Sequence, residues 1–262
     1  MAIRKPIIYY ILYPIVKLMY MNTKVIYEEE INEPSVFISN HAKTNGPVMI
    51  NMYLKRDIVN WAIHCALDEK YAVNYAYHDV LCGDASKHKK FTLFIAKWIA
   101  KRLPRILKTY KNIIPVYHNM KIKYTLDRSI EALENGSDLV IFAESNNDYS
   151  KYIANLQTGF VILGKMYYKK TGKLLNFYPT YLSKKRKRIM VGKAIKYDPN
   201  ISLNENRKII NKYLIENITR LANSLKPHKP VTFLSEKWYR TYGEYKDDIY
   251  GYWKMIENNI RK

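Results

Sequence analysis

Residues 35–41 of this 262-residue chain run Ser-Val-Phe-Ile-Ser-Asn-His. The apolar centre of this run predicts a short buried strand that ends at Asn40 and His41. A second apolar run, residues 139–143, ends in the same way at Glu144. Strand-like and helix-like segments alternate along the chain, which predicts the α/β class. We therefore expect a single domain with a mixed, largely parallel central sheet flanked by helices.

The chain carries a large excess of basic charge. It has 44 Lys and Arg residues and 23 Asp and Glu residues, which gives a formal net charge of +21. Hydrophobic residues make up 48% of the chain. That apolar content is enough for a buried core and excludes an intrinsically disordered protein. Residues 87–123 contain eleven basic residues and no acid, and residues 149–197 contain twelve and no acid. This pattern indicates a polyanionic partner, either nucleic acid or an anionic membrane surface.

Residues 6–21 are mainly apolar but are interrupted by Lys17 and by Pro14. A span of the bilayer needs about 20 apolar residues, so no transmembrane helix is predicted. Tyrosines and flanking basic residues favour a helix that lies in the headgroup layer, and a helix that covers the protein's own core is the alternative. We expect residues 1–30 to form this membrane-interface segment, residues 31–226 the α/β domain, and residues 227–262 a Tyr/Trp-rich tail.

The candidate chemistry lies at the strand ends. In open α/β sheets, ligands bind outside the carboxyl ends of the strands, where His41 and Glu144 are expected. A histidine there can act as a general base near neutral pH.

The sequence around these residues resembles the motifs of the glycerolipid acyltransferases, the 1-acylglycerol-3-phosphate acyltransferase family. The family pattern Asn-His, four residues, Asp is similar to the start of the first block here, and the family's later motifs follow in the same order. The matching blocks are residues 40–47, 113–118, 142–147, 157–160, 177–180 and 191–195. The agreement extends from Ser35 to Tyr197.

The resemblance implies an O-acyltransferase of phospholipid synthesis. A fatty acyl group would pass from acyl-CoA or acyl carrier protein to a hydroxyl of a lysophospholipid-type acceptor, with His41 removing the hydroxyl proton. Apart from this thioester co-substrate, no cofactor and no metal are expected. The expected location is the cytoplasmic face of the membrane, as a peripheral or monotopic protein. The expected partners are an anionic membrane surface and the two substrates, with no nucleic acid.

The chain departs from the family pattern beside the base. The family Asp falls on Gly46, and the nearest substitute is Asn45, one residue early. An Asn carbonyl can fix a histidine tautomer but supplies no charge. Another carboxylate could serve instead, and three remain open: Asp79, Asp84 and Asp148.

The acceptor site also departs from the pattern. Glu144 is retained, but the two family arginines associated with the acceptor phosphate are absent, which should weaken the binding of a dianionic phosphate. Either Lys43 or Lys151 takes over, or the acceptor is not a simple glycerol phosphate. The positions assigned to substrate binding by the resemblance are Lys43, His118, Glu144, Ser145, Asn146, Asn147 and Pro179.

Three other interpretations follow from the same residues. Gly46 favours a membrane-associated relative without catalytic activity. The charge and the aromatic content would suit a nucleic-acid-binding protein, but no recognition motif is present. A zinc site would have to use Cys65, His78, Cys82 and His88, whose spacing is loose. Two cysteines also exclude a disulfide framework and indicate a reducing compartment.

Overall fold

The structure, a computed structural model, describes residues 7–43, 45–109, 112–118, 120–144, 152–153, 155–231, 236–245 and 248–258. The strands are β1 (Lys24–Tyr27), β2 (Ser35–Ser39), β3 (Ile58–Ile63), β4 (Ile113–Val116), β5 (Asp138–Ile141), β6 (Asn176–Ser183), β7 (Arg188–Val191) and β8 (Ile195–Lys196). The helices are α1 (Ile7–Met19), α2 (Asn45–Tyr53), α3 (His64–Leu67), α4 (Glu69–Asn74), α5 (Lys89–Ala100), α6 (Leu103–Thr109), α7 (Ile122–Glu134), α8 (Ile162–Thr171), α9 (Leu203–Ser224), α10 (Glu236–Tyr242) and α11 (Ile249–Asn258). Tighter or wider helical turns occupy Tyr75–Val80, Gly83–Ala85, Thr158–Val161 and Gly243–Tyr245.

The strands form a mixed, largely parallel sheet. Their order is β1-β7-β6-β2-β5-β3-β4, and β8 pairs with β6. β2 is parallel to β5 and to β6, β3 is parallel to β5, and β1 is parallel to β7, whereas β6 is antiparallel to β7 and β8. The predicted α/β class and the predicted type of sheet, flanked by helices, are confirmed.

The chain divides into two compact units. The first, which we call the helical unit, comprises Met1–Met19, Ala62–Thr125 and Leu234–Lys262; the second, the sheet unit, comprises Tyr20–Trp61 and Leu126–Phe233. The helical unit therefore combines both ends of the chain with its middle. The sequence did not predict this division.

The centre of the sheet unit is buried on both faces. All five residues of β2, all four of β5 and all eight of β6 are buried. α9 packs against β6 through apolar side chains at helical spacing, among them Ile210, Leu214 and Ile218. A capping box between Ser202 and Glu205 starts this helix, because the two side chains satisfy backbone N–H groups that have no partner within the helix. The carboxyl ends of β2 and β5 therefore lie in a buried core.

The helical unit is built around aromatic side chains. Trp238 and Tyr252, both from the Tyr/Trp-rich tail, are 1% exposed. The indole N–H of Trp238 donates to the Tyr252 hydroxyl over 3.2 Å. This part of the tail packs within the protein. Within the described residues, none of the helices is both long and apolar enough to cross a bilayer.

Candidate functional site

Asn40 fixes the end of β2 in the sheet unit. Its side-chain Nδ2 donates to the carbonyl of Leu182 over 3.2 Å, and its Oδ1 accepts from the Leu182 N–H over 2.8 Å. The side chain is buried, with 1% exposure. Since the last paired residues of the two strands are Ser39 and Thr180, the amide group continues the hydrogen bonding of β2 to β6 beyond the strand. These hydrogen bonds therefore fix the position of the residue that directly precedes His41.

His41 is the first residue after this anchor. Its ring nitrogen Nδ1 lies 2.7 Å from the carbonyl oxygen of Lys43, and its ring packs against Phe142 with 5.0 Å between the centroids. A carbonyl only accepts, so Nδ1 carries the proton and the lone pair lies on Nε2. The tight loop that brings this carbonyl round has positive φ angles at Ala42 and Lys43, of 44° and 56°.

The protonation of His41 follows from its surroundings. Desolvation by burial lowers its pKa from 6.5 to about 4, while the hydrogen bond with the Lys43 backbone acts in the opposite direction. The imidazole is therefore neutral at neutral pH, which is the form that a general base requires.

Glu144 meets His41 across two neighbouring strands. It follows β5, and its Oε1 accepts the backbone N–H of His41 over 2.5 Å. The carboxylate-bearing residue is 6% exposed and forms an isolated bridge with Leu156. Parallel strands end at the same edge of a sheet, so the two residues that the sequence placed after β2 and β5 are brought together here.

Gly46 occupies the position of the family Asp, and the structure has no room for a side chain there. A Cβ would lie 2.3 Å from the carbonyl oxygen of His41 and 2.9 Å from Cε1 of Phe142. The Gly46 N–H also donates to that His41 carbonyl over 3.2 Å. In this conformation the loop excludes a carboxylate at position 46.

Asn45, the expected substitute, has other partners. Its Oδ1 accepts from the Tyr20 hydroxyl over 2.7 Å, and its Nδ2 donates to the Ala42 carbonyl over 2.9 Å. The expectation that Asn45 orients the His41 ring is not met by this geometry, because the amide is used to hold the loop. The carbonyl of Lys43 is the group that fixes the tautomer.

The other residues that were expected to bind substrate, so far as the structure describes them, do not lie together in one place. The Lys43 side chain is exposed beside the site. Pro179 is buried within β6, opposite Ile38 of β2, and a side chain at Gly192 would come within 3.0 Å of its ring. This packing is that of a core residue. Ser145, Asn146, Asn147, Asp148 and Lys151 lie outside the described residues.

His118 belongs to the helical unit. Its ring stacks on Trp253, with 5.6 Å between the centroids and 6° between the planes. Desolvation by burial, followed by the charge of His64, lowers its pKa to about 4. A neutral, stacked histidine is a poor replacement for an arginine that holds a phosphate.

The alternative carboxylates of the helical unit have partners there. Asp79 Oδ1 accepts from the Tyr252 hydroxyl over 3.0 Å. Asp84 Oδ2 accepts from the Tyr242 hydroxyl over 2.9 Å and lies 2.8 Å from Nδ1 of His78. Both contacts belong to a partly buried hydrogen-bond network.

Among the described residues of the helical unit, one group could hold a metal, and the sequence did not predict it. The donor atoms of His64, Cys65 and Glu257 all lie within 4.8 Å of one another. His64 Nε2 is 2.8 Å from Glu257 Oε1 and 3.5 Å from Cys65 Sγ, and its Nδ1 is 3.1 Å from the Val116 carbonyl. Without a metal, His64 and Glu257 form a pair beside the Cys65 thiol. Burial raises the pKa of this thiol to about 12. No sequence spacing links Glu257 to the other two residues.

No protein-family model matches the chain, and no curated protein matches it. The resemblance to the glycerolipid acyltransferases therefore rests on the residues of the chain itself.

Proposed function

We propose that this protein is an acyltransferase that moves a fatty acyl group from a thioester donor to a hydroxyl of a lysophospholipid-type acceptor. The observation that carries the proposal is the geometry at the ends of β2 and β5. There a neutral histidine has its backbone fixed by a buried carboxylate and its Nδ1 by a backbone carbonyl. This leaves the Nε2 lone pair as the proton acceptor.

The proposed reaction uses His41 twice. Nε2 takes the proton of the acceptor hydroxyl as its oxygen forms a bond to the thioester carbonyl carbon. The tetrahedral intermediate then collapses, the carbon–sulfur bond breaks, and the imidazolium returns the proton to the departing thiolate. The Lys43 carbonyl accepts from Nδ1–H throughout and stabilises the imidazolium as a dipole. It supplies less stabilisation than the carboxylate of the family pattern would.

The charge of the chain fits the proposed substrates. Acyl-CoA and acyl carrier protein are both anionic, as is a membrane that contains acidic phospholipids, and the chain carries a net charge of +21. We place the protein at the cytoplasmic face of the membrane as a peripheral or monotopic protein, without a cofactor beyond the thioester and without nucleic acid as a partner.

An acyl-transfer assay on membranes tests the proposal. His41→Ala should lower transfer by a factor on the order of 10² or more, the usual contribution of general base catalysis. His88→Ala, at an exposed histidine, is the matched control and should keep wild-type activity. Circular dichroism should show that both variants remain folded. Equal transfer by the wild type and His41→Ala would contradict the role of His41.

A relative that binds acyl-CoA without turnover is the second candidate. It is favoured by the exclusion of any side chain at Gly46 and by the use of Asn45 to hold the loop. Acyl-CoA binding by wild-type protein with no transfer to any lysophospholipid acceptor would support this candidate over the enzyme.

A further inference from the structure

α5 packs on the helical unit through its small and medium side chains. Ala96 is fully buried and Ala100 is 4% exposed. Leu93 and Ile99 pack against the cluster that Ala96 forms with Ala76 and Tyr77. This side of the helix is therefore the one that attaches it to the protein.

Three large aromatic side chains of α5 lie on another side of the helix and are exposed. Phe91 is 63% exposed, Phe94 66% and Trp98 50%. Their spacing of three and four residues places them on one face of the helix, and we call these three residues the aromatic ridge. An ordinary surface helix buries its large apolar residues and exposes its polar ones. α5 packs one apolar side on the protein but leaves these three aromatic side chains exposed, which marks an interaction surface.

Basic side chains surround the aromatic ridge. Lys90, Lys97 and Lys101 are exposed, and they share helical spacing with Phe94. The guanidinium of Arg102 lies 4.1 Å from the centre of the Trp98 ring. No acidic residue occurs between residues 87 and 123. The surface therefore combines exposed aromatic rings with positive charge.

A shallow cleft of about 200 Å³ adjoins these lysines. Lys97, Lys101 and Arg105 line it together with Glu69, Val73 and Ala100. Three basic side chains against one carboxylate leave the cleft positive. It offers a lipid phosphate a place beside the ridge.

We propose that the aromatic ridge of α5 inserts into the headgroup layer of an anionic phospholipid bilayer, with the surrounding lysines and Arg102 contacting lipid phosphates. Aromatic rings and long basic side chains are the combination that suits the membrane–water interface. This inference deepens the proposed function, since it names the surface that would bring the protein to its lipid acceptor, and it rests on that proposal for its biological setting.

Charge complementarity identifies the occupant. A hydrophobic protein groove would match the rings but not the lysines, whereas acidic lipid headgroups over acyl chains match both. Single-stranded nucleic acid could also stack on the rings. Binding of such a strand in preference to vesicles would overturn the inference.

Vesicle flotation with the full chain tests the surface. The wild type should bind vesicles of phosphatidylcholine mixed with phosphatidylglycerol more tightly than vesicles of phosphatidylcholine alone. Phe91→Ser/Phe94→Ser should weaken binding to the mixed vesicles by a factor on the order of ten or more. The matched control is Leu174→Ser/Ile209→Ser, since those side chains are 37% and 52% exposed elsewhere, and it should bind like the wild type. Equal binding by the ridge variant and the control would overturn the inference.

A second pair of variants tests the charge. Lys90→Gln/Lys97→Gln/Lys101→Gln removes three positive charges beside the ridge, whereas Lys165→Gln/Lys169→Gln/Lys173→Gln removes the same number from exposed positions in and after α8. The first variant should lose most of the preference for phosphatidylglycerol and the second should keep it. An equal loss in both would show that net charge, and not this surface, governs binding.

Fluorescence quenching by lipids brominated in the acyl chains gives a test of position that does not depend on affinity. Trp98 is expected to be quenched on binding, so Trp98→Phe should bind vesicles but lose most of the quenching seen for the wild type. Undiminished quenching in this variant would overturn the inference.

His41→Ala separates this inference from the proposed function. It should lose acyl transfer yet bind vesicles as the wild type does, because His41 belongs to the sheet unit. Loss of transfer in His41→Ala with no effect of the ridge variant would retain the enzyme and discard the membrane surface. Full transfer by His41→Ala, together with weakened vesicle binding by the ridge variant, would retain the membrane surface and discard the proposed role of His41.

Discussion

The carboxylate of Glu144 accepts the backbone N–H of His41 over 2.5 Å, and so joins the ends of β2 and β5. The two residues are 103 positions apart in the chain. The contact fixes the backbone of the proposed base and leaves its ring to be oriented by the Lys43 carbonyl. In this geometry Glu144 is a positioning residue.

Glu144→Ala should destabilise the protein by about 1–3 kcal/mol, because it removes the acceptor from the His41 N–H at a buried position. Glu144→Gln keeps an oxygen at the same place and should therefore lower the free energy of unfolding by less. Urea unfolding at neutral pH measures both variants, and acyl transfer should fall further in the alanine variant. Equal free energies of unfolding for the two variants would contradict the importance of this hydrogen bond.

Gly46→Ala should destabilise the protein by about 1–3 kcal/mol, the usual cost of overpacking. Its Cβ would lie 2.3 Å from a backbone oxygen that cannot move independently of the loop. Gly159→Ala is the control, since a Cβ there meets nothing within 4 Å. Gly46→Asp, which restores the family residue, should for the same reason lower acyl transfer. A gain of transfer in Gly46→Asp would show that the loop adopts another conformation.

Asn45→Asp should lower stability by about 1–2 kcal/mol. The carboxylate could still accept from Tyr20, but its second oxygen would face the Ala42 carbonyl, to which the amide now donates over 2.9 Å. Thermal unfolding above pH 7 measures the effect. Unchanged or raised stability, together with raised acyl transfer, would instead support the family role for position 45.

The acid side of the pH–activity profile should lie well below the ordinary histidine pKa of 6.5. Desolvation lowers the pKa of His41 to about 4, so the base stays neutral until the pH approaches that value. A profile of kcat/KM against pH measures this limb. An inflection at 6.5 would show that the ring is solvated during turnover.

The same shift makes stability depend on pH. Between about pH 6.5 and 4 the unfolded chain binds a proton at position 41 that the folded chain does not, so His41 contributes a loss of stability as the pH falls through this range. Asp79 has the opposite effect on stability, because burial raises its pKa to about 6 and the folded chain binds the proton first as the pH falls. On acidification from pH 6.5 to 4, the free energy of unfolding of His41→Asn should therefore fall by about 2–3 kcal/mol less than that of the wild type. Thermal unfolding at both ends of the range measures the difference.

The parts of the fold that could be predicted are those that depend on local pattern. The apolar runs before His41 and Glu144 are short and end in polar residues, so the sequence predicted that both residues follow strands. That β2 and β5 are parallel neighbours, so that the two residues meet, is known only from the structure. The partner of Asn45 could not be predicted, because Tyr20 reaches it from a turn 25 positions away. The pairing of His64 with Glu257 is similar, since it depends on how the tail packs in the helical unit.

The double hydrogen bond between Asn40 and Leu182 has a consequence for synthesis of the chain. The two residues are separated by 142 positions, and Leu182 lies near the end of β6. β6 must therefore be synthesised before the Asn40 side chain can form these hydrogen bonds. A truncated or stalled chain that ends earlier contains His41 but lacks the contact that fixes the backbone before it. Transfer activity per molecule should accordingly report the fraction of chains in which the sheet unit is complete.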